Sequence, residues 1–152
     1  MSYGWGILPL RLVVGLVFAA HGGQKLFGFG IAGTAGFLGG LGVPLPQVAA
    51  VALIAVELLG GLALIVGAGT RIVAALLAAD MLVAILTVHL KEGFFVPHGV
   101  EFVLTLLGGC LALVGLGAGP GSVDAMRRGE SRREAGAGGQ PRACRSPSTA
   151  SS

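Results

Sequence analysis

AAHGGQKLFGFG, residues 19–30, closes the first apolar stretch of the chain and places His21, Gln24 and Lys25 directly after LVVGLVFAA. The surrounding composition makes those polar groups conspicuous. Of 152 residues, 54% are hydrophobic and 11% charged, with a mean hydropathy of +0.88. A water-soluble domain of this size leaves much of its surface exposed and needs more charge to cover it. Lipid is therefore the implied solvent. The 28 glycines fit that solvent, because small residues let membrane helices approach closely. They show no three-residue period, which excludes collagen.

A membrane helix needs about 20 mostly apolar residues. Four stretches meet this, at roughly 8–27, 48–67, 71–90 and 99–118. Each stops at a Gly/Pro-rich break: GFG, GAGTR, KEGFFVPHG and GLGAGPG. The pattern predicts an all-α integral membrane four-helix bundle over residues 1–124. The uncharged connection 28–46 is read as an interfacial or re-entrant lid, with Thr34 capping a short helix over 35–41. The Arg-, Gly-, Ser- and Pro-rich segment 125–152 reads as a disordered basic tail. Before the first span there is no basic region of the kind a cleavable signal carries, so that span is expected to be retained.

Charge sets an orientation. With the N-terminus cytoplasmic, Arg11, Arg71 and six tail arginines lie inside, and Lys25 and Lys91 outside. This positive-inside bias puts both termini in the cytoplasm of a cell inner (plasma) membrane protein. The tail arginines lack interleaved aromatics or a basic folded motif, which argues against nucleic-acid binding. Cys110 falls in an apolar run and Cys144 in the tail, with no metal-type Cys/His spacing, so neither a zinc site nor a disulfide framework is expected.

At about 1.5 Å per residue, Glu57 and Asp80 both fall near the bilayer midplane. His21 lies about 5 Å outward, and Lys25 and Glu101 about 10 Å outward. A charged group at the helix centre costs roughly 2.5–3.5 kcal/mol on insertion scales, so these residues should face the bundle interior and find partners. His21 and Lys25 are four apart and share a face, with Gln24 beside them. Glu57 precedes Gly60 and Gly61, Asp80 is in line with Ala84 and Thr87, and Glu101 with Thr105, Gly108 and Ala112. Depth matching pairs Lys25 with Glu101 and His21 with Glu57, leaving Asp80 without a cation. The candidate proton-handling residues are His21 and Glu57, and the candidate ligand-binding residues are Gln24, Lys25, Asp80 and Glu101. His89, Lys91, Glu92 and His98 are assigned to the outer rim, with His89 pointing away from Asp80.

An ordered series of segments resembles the DoxX family of small four-helix membrane proteins. It runs RLVVGLVFAAHGGQKLFG (11–28), GTAGFLGGLGVPLP (33–46), ELLGGLALIVGAGTR (57–71) and GPGSVD (119–124). The resemblance implies His21, Lys25 and Glu57 as motif positions. It also implies a link to quinone- or thiol-related redox systems, as a subunit or neighbour of an oxidoreductase. The sequence has no haem-ligand pair, Fe–S cysteine set or dinucleotide-binding glycine motif. The expectation is thus an accessory role in redox-stress defence, with a quinone as the candidate ligand and no covalent cofactor. The expected partners are the lipid bilayer, a cytoplasmic oxidoreductase or thiol-metabolism protein, and other copies of the chain. A non-enzymatic scaffold recruiting a cytoplasmic protein through the basic tail is the alternative, and a small transporter ranks third.

Overall fold

A computed structural model describes residues 3–89, 93–95, 99–127 and 129. Among these, every regular element is helical: a 3₁₀ turn at Tyr3–Gly6, α1 (Ile7–Gly23), a π-helical segment (Gln24–Phe29), α2 (Gly30–Gly40), α3 (Pro46–Val66), α4 (Thr70–Thr87) and α5 (Glu101–Leu116). Membrane helices satisfy their own backbone polar groups, which is why the apolar stretches take this form. The chain is a membrane protein. Large apolar side chains such as Leu16, Leu59 and Ile72 are exposed all round the bundle, a surface suited to lipid and not to water.

α3, with 21 residues, and α4, with 18, have the length and apolarity to cross a membrane, as does the helical stretch from Gly4 to Gly40. α5 is apolar but has 16 residues, a length of about 24 Å, shorter than the span expected from the sequence. α5 begins late, at Glu101, because the N–H groups of Val100 and Glu101 are taken by Gly93 O and Phe94 O.

Successive long helices run in opposite directions. Arg11 on α1, the α3–α4 turn at Gly67–Gly69 and the chain after α5 meet at one end. The described residues at the two ends of the chain thus lie together. Several turns follow helix-ending rules. Gly67, at φ +72°, closes α3 in a Schellman arrangement, with Ala68 N–H on Ala63 O and Gly67 N–H on Leu64 O. Gly42, at φ +79°, closes α2 in the same way.

The closest helix contact is between α1 and α3. Gly15 and Gly22 on α1 and Gly61 on α3 leave no room for side chains: a Cβ on Gly15 would stand 2.8 Å from the Gly61 carbonyl oxygen, and one on Gly22 would strike the Leu58 backbone. Beside this contact, Phe18, Leu64, Leu77, Met81, Leu106 and Leu113 form the buried core. α5 turns Val103, Leu106, Cys110 and Leu113 inward. The expected Glu101–Thr105–Gly108–Ala112 stripe does not face the core. Thr105 and Gly108 are exposed, and the Thr105 hydroxyl donates to its own helix at Glu101 O, 2.8 Å, so facing lipid leaves no polar group unsatisfied.

The segment expected to be a lid is helix α2, which packs on α3 after the chain turns at Gly30, φ +69°. Thr34 does not cap it. Thr34 sits a turn inside α2, buried, and donates its hydroxyl hydrogen to Gly30 O at 3.0 Å. The helix starts five residues earlier than its sequence cap suggested because Gly30 permits the turn that starts it. At the other end of the chain, a helical turn at 123–127 includes the first residues assigned to the disordered tail, most of which lies outside the described residues.

The glycine contact gives a direct test. Gly61→Ala drives a methyl group into the α1 backbone and should cost about 1–3 kcal/mol or more in detergent unfolding, as overpacking does. Gly108→Ala, which meets nothing within 4 Å, should be neutral or stabilising. Equal effects of the two changes would show that α1 and α3 do not meet at Gly61.

Candidate functional site

Glu57 lies near the middle of the apolar helix α3 and is 3% exposed. Its carboxylate is met by the Lys25 ammonium, 2.5 Å from Nζ to Oε2, with the two side chains 4% and 24% exposed. A charge-assisted hydrogen bond of this kind offsets the cost of taking both groups out of water. The partner of Lys25 is thus Glu57, where depth matching had put Glu101. Depth alone did not show which helix lies beside α1: α1 packs closely on α3, with Gly22 against Leu58, and Lys25, three residues on, lies on that face. Glu101 opens α5, where the partial positive charge of a helix N-terminus favours a carboxylate.

Asp80 on α4 completes the cluster. Its carboxyl group is close enough to Glu57 and Lys25 to feel both charges, so the cation it lacked in the sequence reading is present. Its Oδ2 is buried and has no hydrogen-bond partner among the described residues. Three elements therefore bring Lys25, Glu57 and Asp80 together in mid-bundle.

A cavity of about 140 Å³ opens beside them, lined by His21, Lys25, Glu57, Met81, His89 and Phe102 among others. His21 is not bonded to Glu57 as expected. Its Nδ1 donates to Val17 O at 2.9 Å, and its ring lies against Phe102 with centroids 5.7 Å apart. Since a carbonyl only accepts, this bond puts a proton on Nδ1. His89 was assigned to the rim, facing away, but lines the same cavity, with Nδ1 toward Ala84 O at 3.2 Å. α4 ends at Thr87, so His89 leaves the helical register on which its expected direction rested. Gln24 is exposed and is not among the residues lining the cavity. Lys91, Glu92 and His98 lie outside the described residues. Cys110, fully buried, lies close enough to Asp80 to feel its charge. Among the described residues no group of three or more His, Cys, Asp or Glu could hold a metal.

The opposite end of the bundle is built by Arg11, which the sequence reading counted only as a charge, and by the GPGSVD segment. Arg11 is 1% exposed and donates from Nη1 to Ala118 O (2.6 Å) and from Nη2 to Gly121 O (3.0 Å). Asp124 takes the first N–H groups of α4, from Gly69 (2.8 Å) and Thr70 (2.9 Å). Ser122 caps the turn at 123–127 by accepting from Ala125 N–H at 3.1 Å. GPGSVD is thus a clasp that ties α1, α4 and the end of α5. The motif marked this end, but an aspartate capping a helix 54 residues away was not legible in it.

A family model described as DoxX matches residues 6–90, from the start of α1 through the end of α4 and all members of the polar cluster. The chain belongs to the DoxX family. A protein of Bacillus subtilis (strain 168) named "Putative oxidoreductase CatD" is similar to this DoxX protein, 39% identical over 114 residues, which is 75% of this chain and 82% of the relative. No solved structure matches the chain.

The ion pair predicts a strong coupling in unfolding measurements. Lys25→Met should cost about 3–5 kcal/mol by leaving Glu57 buried and uncompensated. Adding Glu57→Gln should recover part of that loss. Strict additivity of the two changes would remove the pair as a structural element.

Proposed function

We propose that this DoxX protein is a membrane partner of a quinone- or thiol-linked oxidoreductase system that acts in redox-stress defence. In this reading it holds a lipid-soluble quinone and manages its protons, while an associated oxidoreductase supplies the electrons. Reducing a quinone to a quinol takes two electrons and two protons. The supporting observation is the Lys25–Glu57–Asp80 cluster beside a cavity shared with His21 and His89, deep in an apolar bundle. Ionisable groups at such depth mark functional sites by default. Lys25 offers N–H donors to a quinone oxygen. The two imidazoles and the two carboxyl groups can pass protons on toward the end of the bundle that carries His89. The relative's name is in keeping with redox chemistry.

The expected test is genetic. In a strain lacking its own copy, His21→Gln and Glu57→Gln proteins should insert at normal levels but fail to protect against oxidants. His21→Gln keeps a hydrogen-bonding group and cannot titrate, so it separates structure from proton exchange. Full protection by both variants would make the cluster structural and favour a scaffold that recruits partners through its basic tail.

The same reading places the Arg11 end in the cytoplasm of the inner membrane. Arg11, Arg71 and Arg127 gather there, and Arg71 also donates to Gly115 O near the end of α5. A reporter fused after Ser152 should be active only in a form that works in the cytoplasm. Periplasmic activity would reverse the orientation.

A further inference from the structure

Lys25 belongs to two spaces. One is the interior cavity with His21, Glu57 and His89. The other is a groove of about 540 Å³ on the outside of the bundle, lined by Lys25, Gly28, Phe29, Gly33, Thr34 and Phe37. The groove lies between the π segment and α2. π turns are frequent at functional sites because they re-aim side chains within a helix. Here the turn ends at Gly30, whose positive φ swings α2 aside, and the absence of side chains at Gly28 and Gly33 leaves the space between.

The lining has the chemistry of a headgroup seat. Phe29 and Phe37 are 63% and 57% exposed and form aromatic walls. Thr34 is 5% exposed, and its hydroxyl hydrogen is committed to Gly30 O, so its oxygen is left to accept. The Lys25 ammonium has three donors, one of which is spent on Glu57, and it is the single cation of the lining. The volume is within the range of small-molecule pockets.

We propose that this groove is the lipid-side seat of the ligand, and that it takes a flat aromatic or quinonoid ring bearing a carbonyl or phenolic oxygen. The ring lies between Phe29 and Phe37, and its oxygen reaches Lys25. Lys25 then joins the two spaces: one donor stays on Glu57 inside, and a free donor takes the ligand oxygen outside. The ligand enters from the side of the bundle that α2 forms. This proposal rests on the quinone reading above and adds the place, the route and the residue that joins them.

The test is binding of decylubiquinone to the purified full-length protein in nanodiscs, followed by calorimetry. The wild-type chain should bind. Gly33→Leu should weaken binding at least tenfold, because the helical, exposed Gly33 lines the groove and a Cβ there meets only the Phe29 side chain, at 3.4 Å, so that the new side chain takes up the ligand's space. Lys25→Met should weaken it as much. Phe27→Ala, at an exposed position outside the groove, should leave it unchanged. Undiminished binding by a folded Gly33→Leu protein would overturn the groove and leave the quinone reading standing. No binding by the wild-type chain would remove the quinone reading, and the groove with it.

Discussion

The Lys25–Glu57 ion pair is the constraint around which the bundle is arranged. Glu57 is placed mid-way along an apolar helix, where a lone carboxylate would be expelled or neutralised, and the nearest described cation reaches it only if α1 and α3 touch. Gly15, Gly22 and Gly61 make that touch available by bringing backbone against backbone. A buried pair adds little net stability compared with apolar residues of the same volume, but losing one partner is costly. The pair therefore selects the register in which the glycines meet. Asp80 on α4 is then drawn into the same cluster.

The two ends of the bundle have separate tasks. The Arg11 end is closed by hydrogen bonds to chain ends and helix termini, with Asp124 on the N-terminus of α4 and Arg11 on the carbonyls that follow α5. Such a clasp holds the helix ends fixed. The His21 end is looser in construction: a π segment, a turn at Gly30, a cavity and an outer groove lie within a few residues of one another. Rigidity at one end gives the polar cluster a fixed frame, and room at the other gives it access.

Much of the fold was legible because lipid imposes a simple code. Length, apolarity and Gly/Pro breaks located α1, α3 and α4 to within a few residues, and the ordered motifs pointed to the DoxX family. Pairing was less legible, because it depends on rotation about helix axes that spacing alone does not give. Depth matching compared levels and not neighbours, and the close packing of α1 on α3 set Lys25 on Glu57 while Gln24 stayed outside. His89 fell outside its helix, so its direction could not be taken from α4 periodicity. Thr105 and Gly108 looked like an interior stripe, but a hydroxyl bonded within its own helix can face lipid as well as core. Small residues mark a close approach only where a second helix comes to meet them, as at Gly61, and not at Gly108.

Dipolar recoupling between ¹⁵Nζ of lysine and the ¹³C carboxyl carbons of Asp and Glu, in lipid bilayers, tests the central pair most directly. A Lys91→Arg background leaves Lys25 as the single lysine signal. A strong coupling from Lys25 to the Glu57 carboxyl carbon is the predicted result, and Glu57→Gln should abolish it. Coupling from Lys25 to the Glu101 carboxyl carbon, with none to Glu57, would contradict it.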